Sequence, residues 1–198
     1  MMRPRDHLSW TQLNTLESSE KQYKKIYLEG FSLKNRGINL GSIIADALCS
    51  GEETGDAMND LIVACLPKFE LMDNTFEATI DVGGVKIPLL SKIDSARKDL
   101  TAIKEYKTGT GRWTQKMVDA CGQITFYCVV AQAITGKIPQ DIELVYAPTI
   151  WTPAGEVELT GEIIRFKTKR TIADCLQMKI RQKKAWQRIG EIVEEELI

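Results

Sequence analysis

Asp94, Glu105 and Lys107 are the residues of this chain best spaced for chemistry. They lie in the stretch Ile93–Gly109, where an apolar segment around Leu89–Ile93 leads into a polar turn with Arg97, Lys98 and Asp99, and Leu100–Tyr106 then alternates. That pattern predicts a β-hairpin. Residues two apart on a strand point to one face, so Glu105 and Lys107 are neighbours. A register that sets Asp94 opposite them brings its carboxylate within reach across the ladder. Two carboxylates held this close resist ionising together unless something positive sits between them. A divalent cation resolves the conflict: Asp94, Glu105 and the backbone carbonyl of Tyr106 are hard oxygen ligands suited to magnesium or manganese, with the remaining positions left to waters and a phosphate. Lys107 would orient or help deprotonate one of those waters. An exposed Glu-x-Lys pair is also what an ordinary solvated strand face looks like, so its weight comes from context.

The elements that must position these residues can be read in order. From Ser9 to about Leu28 the pattern is helical, with a capping box from Ser9 and Gln12, apolar residues Trp10, Leu13, Leu16, Tyr23 and Tyr27 recurring, and Gly30 to end it. A second helix is predicted over Gly41–Leu48, followed by a loop through Gly55, and a third over Gly55–Lys68. Phe76–Ile80 and Val85–Leu90 read as strands joined at Gly83-Gly84. After the glycine-rich turn Thr108–Arg112, one long helix is expected from Thr114 to about Thr135, with Gln123 and Tyr127 on one face of it. Strands are expected at Glu143–Pro148 and Gly161–Lys167. Thr171 then caps a C-terminal helix whose apolar stripe is expected to be Ile172, Leu176, Ile180, Trp186, Ile189 and Val193.

Ile93-Asp94, followed eleven residues after the Asp by Glu105-Tyr106-Lys107-Thr108-Gly109 and then by Gln123 and Tyr127, resembles the PD-(D/E)XK nuclease superfamily in its RecB-type branch. Leu8-Ser9-Trp10-Thr11-Gln12-Leu13 looks like the opening motif of that branch, Leu40–Ile44 like its second, and Phe76-Glu77 like the strand preceding the Asp hairpin. The ordered matches run from about residue 8 to 127. The resemblance implies an α/β fold with a central mixed sheet flanked by helices, a restriction-endonuclease-like core. It also implies a metal-dependent DNA nuclease, an exonuclease of recombination, repair or phage DNA processing more than a sequence-specific restriction enzyme. In that setting Gln123 and Tyr127 would touch Lys107, a metal-bound water or the nucleic-acid backbone, and Glu77 would support the metal ligands from behind. One departure stands out: the family helix often carries a histidine four residues after the glycine, where this chain has Ala45. Asp46, one position on, is the candidate for a third carboxylate, or else faces solvent. Some relatives hold an iron–sulfur cluster, but Ser18 and Ser19 stand where its first cysteine would fall and the C-terminal region offers only Cys175, so no cluster is expected.

A chain of 198 residues with 43% hydrophobic content is ample for one core, and one domain is expected over 1–198. No run of 18 apolar residues appears, and the N-terminal Met-Met-Arg-Pro-Arg-Asp-His leads into no apolar signal core, so a cytoplasmic location away from membranes is expected. Five cysteines without a Cys-x-x-Cys fit a reducing compartment. The formal charge of -1 argues against an indiscriminately sticky basic protein. Between Arg165 and Arg188, however, nine basic residues face a single acid, Asp174. From this stretch Lys167, Lys169 and Arg170 are the expected contacts to DNA phosphates. The rival to a nuclease is a non-catalytic DNA-binding or scaffold protein that keeps the fold, with Ala45 in its favour; a phosphoesterase of small substrates is a distant third. A recombination or replication protein as partner, and self-association, stay open.

Overall fold

The computed structural model describes residues 5–31 and 36–196, so Met1–Pro4 of the charged N-terminus lie outside the described residues. Two helices come first, α1 (Trp10–Ser18) and α2 (Glu20–Tyr27), then α3 (Arg36–Ser50) and α4 (Ala57–Cys65). The strands β1 (Leu71–Val82), β2 (Val85–Ala96) and β3 (Ala102–Gly109) follow, then α5 (Gln115–Asp119), α6 (Gly122–Thr135), β4 (Asp141–Trp151), β5 (Val157–Leu159), β6 (Ile164–Thr168) and α7 (Ile172–Glu195). The fold is α/β, a mixed six-stranded sheet flanked by helices, in the order β1-β2-β3-β4-β5 with β6 also on β4. Of the described strands, β3 and β4 are the pair that runs parallel, because α5 and α6 return the chain between them.

The sheet separates two apolar layers. On one face of β3 and β4, Ile103, Ile142, Leu144 and Tyr146 pack with α6, α7 and α1. On the other, Tyr106, Val145 and Ala147 pack with α3, α4 and Leu159 of β5. Leu8 adds a short parallel bridge to Leu89 that ties the entry of α1 to the sheet.

The expected helix Ser9–Leu28 is two helices. Ser9 forms its capping box with Gln12 as expected, but Ser19 is extended and its hydroxyl accepts from the Gln22 amide, so a second N-cap interrupts the run. The β1–β2 hairpin turns at Gly83 and Gly84, both with positive φ of 61° and 80°, the conformation a tight two-residue turn demands. β5 has no counterpart in the sequence reading. The C-terminal helix buries the second half of the expected stripe, Trp186, Ile189 and Val193, together with Cys175, Met178, Gln182 and Ala185, while Ile172, Leu176 and Ile180 of its first half are exposed.

The expected helix Thr114–Thr135 is likewise broken, at Ala120–Cys121. Length and apolar composition alone would let Gln115–Thr135 cross a membrane, yet α6 is the buried helix at the centre of the larger core. Its first residue, Gly122, sits against the indole of Trp10, and a Cβ there would lie 2.3 Å from Cη2 of that ring. Gly122→Ala is therefore expected to destabilise by about 1–3 kcal/mol through overpacking. Denaturant unfolding of Gly122→Ala, Trp10→Leu and the double variant checks this: the double variant should recover stability relative to the sum of the singles.

Candidate active site

β2 and β3 pair only at Ser95–Lys104 and Ala96–Ile103, and beyond these residues the strands part. Asp94 stands at the fork, where β3 no longer has a backbone partner on that side. Its Oδ2 takes over that role by accepting from the Tyr106 amide at 2.8 Å. In an extended strand the N–H and C=O of one residue point to the same side, so the Tyr106 carbonyl also faces the fork. The Tyr106 hydroxyl donates to the Pro67 carbonyl at 2.6 Å, fixing that segment of β3.

Glu105 is 2% exposed. Its Oε1 receives the Lys107 ammonium in a close ion pair, while its Oε2 is buried without a hydrogen-bond partner. Such an orphaned carboxylate oxygen is costly unless something positive comes to it. Lys107 also donates to Gln123 Oε1 at 2.9 Å, and Gln123 Nε2 donates to the Tyr127 hydroxyl at 2.6 Å. Gln123 and Tyr127 are one turn apart at the start of α6, so the break before Gly122 sets where this chain of bonds begins.

The electrostatics follow from this crowding. Burial, then the charge of Glu105, pushes the Asp94 carboxyl up to about 8, against the opposing hydrogen bond from Tyr106. Burial works against the Lys107 ammonium, but Glu105 beside it outweighs that and raises its pKa. Lys107 is thus a cation, suited to orienting a water or countering charge and not to removing a proton. Burial, with Glu105 and Asp94 nearby, holds the Tyr127 phenol neutral.

Asp94, Glu105, Tyr106, Lys107 and Gln123 line a cleft of about 670 Å³ together with Leu40, Ile44, Ala45 and Leu48 of α3 and with Thr149, Trp151 and Val157. The two carboxylates at the fork and the Tyr106 carbonyl are the oxygens a hard divalent cation would meet. Among the described residues no group of three or more His, Cys, Asp or Glu is placed to hold a metal.

The other expected site residues lie elsewhere. Asp46 is exposed and does not line the cleft, whereas Ala45 does. Glu77 is exposed on β1 opposite Leu90, several residues from the fork, beside a shallow depression with Asp6 and His7. It does not support Asp94. Lys167 and Lys169 are exposed on β6 and just after it, and neither lines the cleft. Arg170 is 8% exposed. Its guanidinium donates to the hydroxyls of Thr125 and Thr168 and to the carbonyls of Lys169, Val118 and Cys121, which occupies all five N–H groups. It binds the broken end of α5, and no donor is left for a phosphate. Much of the remaining basic stretch is also engaged: Arg165 with Glu143, Arg181 with Glu17, and Arg188 with Glu20, Glu191 and Glu195. Of the cysteines, Cys128 and Cys175 are buried, Cys121 is half-buried, and Cys49 and Cys65 are exposed.

Sequence reasoning missed Asp73, Thr149 and Trp151. Asp73 interrupts β1 directly opposite Asp94, with φ of 52°, and is paired to Lys92 at 2.6 Å in the cleft wall. Asp is one of the few non-glycine residues that tolerate this conformation, which is the only local signal it offers. Thr149 is buried with its hydroxyl unpartnered, and Trp151 is 57% exposed.

No family model matches the chain, and no curated protein matches it. Solved structures do. A protein of Eubacterium rectale named "Putative exonuclease" superposes with a TM-score of 0.59 at 14% identity, covering 96% of this chain and 82% of that one. The structure named SSO0001 gives a TM-score of 0.54 at 14% identity over 93% of this chain and 78% of its own. At this identity the likeness is one of fold: this chain has the fold of a protein named as a nuclease.

Proposed function

We propose that the protein is a metal-dependent deoxyribonuclease that hydrolyses phosphodiester bonds, acting as an exonuclease in recombination, repair or phage DNA processing. The observation that carries this reading is the fork between β2 and β3, where Asp94 and Glu105 meet with Lys107 beside them. The donor set fits magnesium or manganese: a carboxyl whose proton a cation would replace, a buried carboxylate oxygen without a partner, and a carbonyl facing the same side. Asp94, Glu105 and Tyr106 would hold the ion, leaving its other positions to water and a substrate phosphate. When bound, it polarises the phosphate and lowers the pKa of a water.

The chain's own residues do the rest. Glu105 anchors the Lys107 ammonium, and Gln123 holds the same ammonium from α6, so the charge is fixed before substrate arrives. Lys107 then offers its remaining N–H to the attacking water or to a phosphate oxygen, countering the charge that grows in the transition state. Tyr127 keeps the Gln123 amide in place. The fold of the protein named an exonuclease supports the reading further. The rival, a nucleic-acid-binding scaffold, draws on Ala45, which puts a methyl group in the cleft wall where an additional ligand would stand.

End-labelled single- and double-stranded DNA, linear and circular, incubated with and without magnesium or manganese, decides between them. Metal-dependent release of label from linear DNA is expected. Lys107→Ala should slow it by about 10²- to 10³-fold, the cost of one electrostatic donor, while the affinity for the metal, read by calorimetry, persists. Cleavage without divalent ions, or no cleavage under any condition, would overturn the proposal.

A further inference from the structure

We infer that the exposed apolar row on α7, Ile172, Leu176 and Ile180, together with the hollow beside its first turn, docks an acidic amphipathic helix of another protein. Residues four apart on a helix share a face, so the three form a row about 12 Å long at a rise of about 1.5 Å per residue. They are 67%, 54% and 50% exposed. The core meets the other side of the helix, where Cys175, Met178, Gln182 and Ala185 are buried. Exposed apolar residues scattered singly need no explanation, but a contiguous row rimmed by charge marks an interaction surface.

The row leads into a concave surface. Ile172 lines a hollow of about 590 Å³ with Leu100, Gln132, Thr135, Lys137 and Ile138, where the β2–β3 connection, the end of α6 and the start of α7 meet. The hollow lies beyond the start of β3, whereas Glu105 and Lys107 stand further along that strand, and no residue lines both the hollow and the catalytic cleft. An occupant therefore leaves the cleft open.

Charge selects the occupant. Lys183 and Lys184 follow Ile180 by three and four residues, on the same side of the helix. At the other end Lys137 lines the hollow, and the Lys179 ammonium donates to Oε1 of Gln132 there at 2.9 Å. Among the described residues none of these four lysines has an ion-pair partner. The acids close by are engaged: Asp174 caps α7, Asp99 of the hollow accepts from Thr101, and Glu191 meets Arg188. A second copy of the chain fits poorly, because two such rows laid together in either direction set lysine against lysine. Nucleic acid is held through its phosphates and gains nothing from leucine and isoleucine between the lysines. A bilayer is flat on this scale and leaves the hollow unfilled. A helix with apolar residues on one face and carboxylates alongside covers the row, fills the hollow and meets the lysines.

The test selects phage-displayed peptides of about 16 residues, roughly four helical turns, on the full chain. One pool carries Leu, Ile or Phe at helical spacing with Glu or Asp elsewhere, and the other carries Lys in place of the acids. The acidic pool should be enriched, and its members, labelled with fluorescein, should bind the native protein with a Kd below about 100 μM. The double variant Leu176→Ser, Ile180→Ser should lose about tenfold or more in affinity. Lys183→Glu with Lys184→Glu should lose about 3- to 10-fold at low salt, and less as salt rises. Both double variants should melt as the native protein does, since the positions lie outside the core. No enrichment of the acidic pool over the basic one, or selected peptides that bind Leu176→Ser, Ile180→Ser as tightly as native, overturns the inference. Three further results also overturn it by naming another occupant, if the same double variant loses affinity for DNA, loses binding to phosphatidylserine-containing vesicles, or converts a native dimer to monomers in sedimentation.

Discussion

Asp94→Asn should abolish cleavage and at the same time make the metal-free protein more stable at neutral and alkaline pH. Loss of a ligand that positions a Lewis acid removes several kcal/mol from the transition state, on the order of a 10³-fold fall in turnover. The stability effect has the opposite sign for a specific reason. The folded protein raises the Asp94 carboxyl from an ordinary value of 3.8 to about 8, through burial and the neighbouring Glu105. The folded state therefore binds this proton more tightly than the unfolded state does. Its contribution is fully present below about pH 4, is lost as pH rises towards 8, and is level above that, for a total on the order of a few kcal/mol. An asparagine cannot ionise and keeps the hydrogen bond from the Tyr106 amide, so the variant should lack this slope. Divalent ions should reverse the native slope, because binding requires the deprotonated acid and gains up to about tenfold per pH unit below 8. Urea titrations at several pH values, with chelator and with magnesium, check both. A native protein with no such slope, or a variant less stable than native at pH 8, would remove Asp94 from the buried pair.

Arg170→Ala should be the most destabilising substitution of any charged residue in the C-terminal third, by about 3–5 kcal/mol. The guanidinium fills the gap left where α5 ends and α6 begins, taking the Val118 and Cys121 carbonyls at 2.9 and 3.1 Å and the Thr125 and Thr168 hydroxyls at 2.7 Å. Truncation strands these groups out of water. Lysine cannot replace it, since one ammonium cannot span a planar fork of donors. Lys167→Ala and Lys169→Ala, by contrast, should move stability by less than about 0.5 kcal/mol. At two to four degrees per kcal/mol for a chain of this size, Arg170→Ala should melt about 10 °C lower. Comparable melting temperatures for the three variants would show that the interior contacts of Arg170 contribute little.

The contrast between Arg170 and its neighbours explains which features could be read from the amino-acid order. A run of basic residues looks the same whether its members face solvent or one of them turns inward to meet the carbonyls of an interrupted helix, and near Cys121 the sequence offers only Gly122, a residue that a continuous helix also tolerates. It arises in the region where Trp10, more than a hundred residues away, packs against Gly122. The first half of the α7 stripe misled for a related reason, while Trp186, Ile189 and Val193 are buried as expected. Ile172, Leu176 and Ile180 are as periodic as the buried set, and only the position of the sheet chooses between two apolar faces. Asp94, Glu105 and Lys107 were legible because strand geometry converts spacing directly into proximity, and Gln123 and Tyr127 because one helical turn does the same. Asp73 and Trp151 were not, since a positive φ inside a strand and an exposed indole at a cleft rim exist only once distant elements have met.

The short ladder at the fork also bears on how the chain comes to its final form. β1 and β2 form a local hairpin registered from Val82–Val85 out to Leu71–Ala96, a structure that can assemble within microseconds. β3 and β4 are parallel and separated by residues 110–140, so their pairing must await closure of a long loop and the docking of α5 and α6. Asp94 belongs to the first unit and Glu105 to the second, and the ladder between the units is short, Ser95–Lys104 and Ala96–Ile103, flanked by the Arg97 amide donating to the Ala102 carbonyl and the Tyr106 amide donating to Asp94. The carboxylates therefore meet after the rate-limiting closure. An ion that grips both would act as a late clasp, prolonging the lifetime of the native state without hastening its arrival.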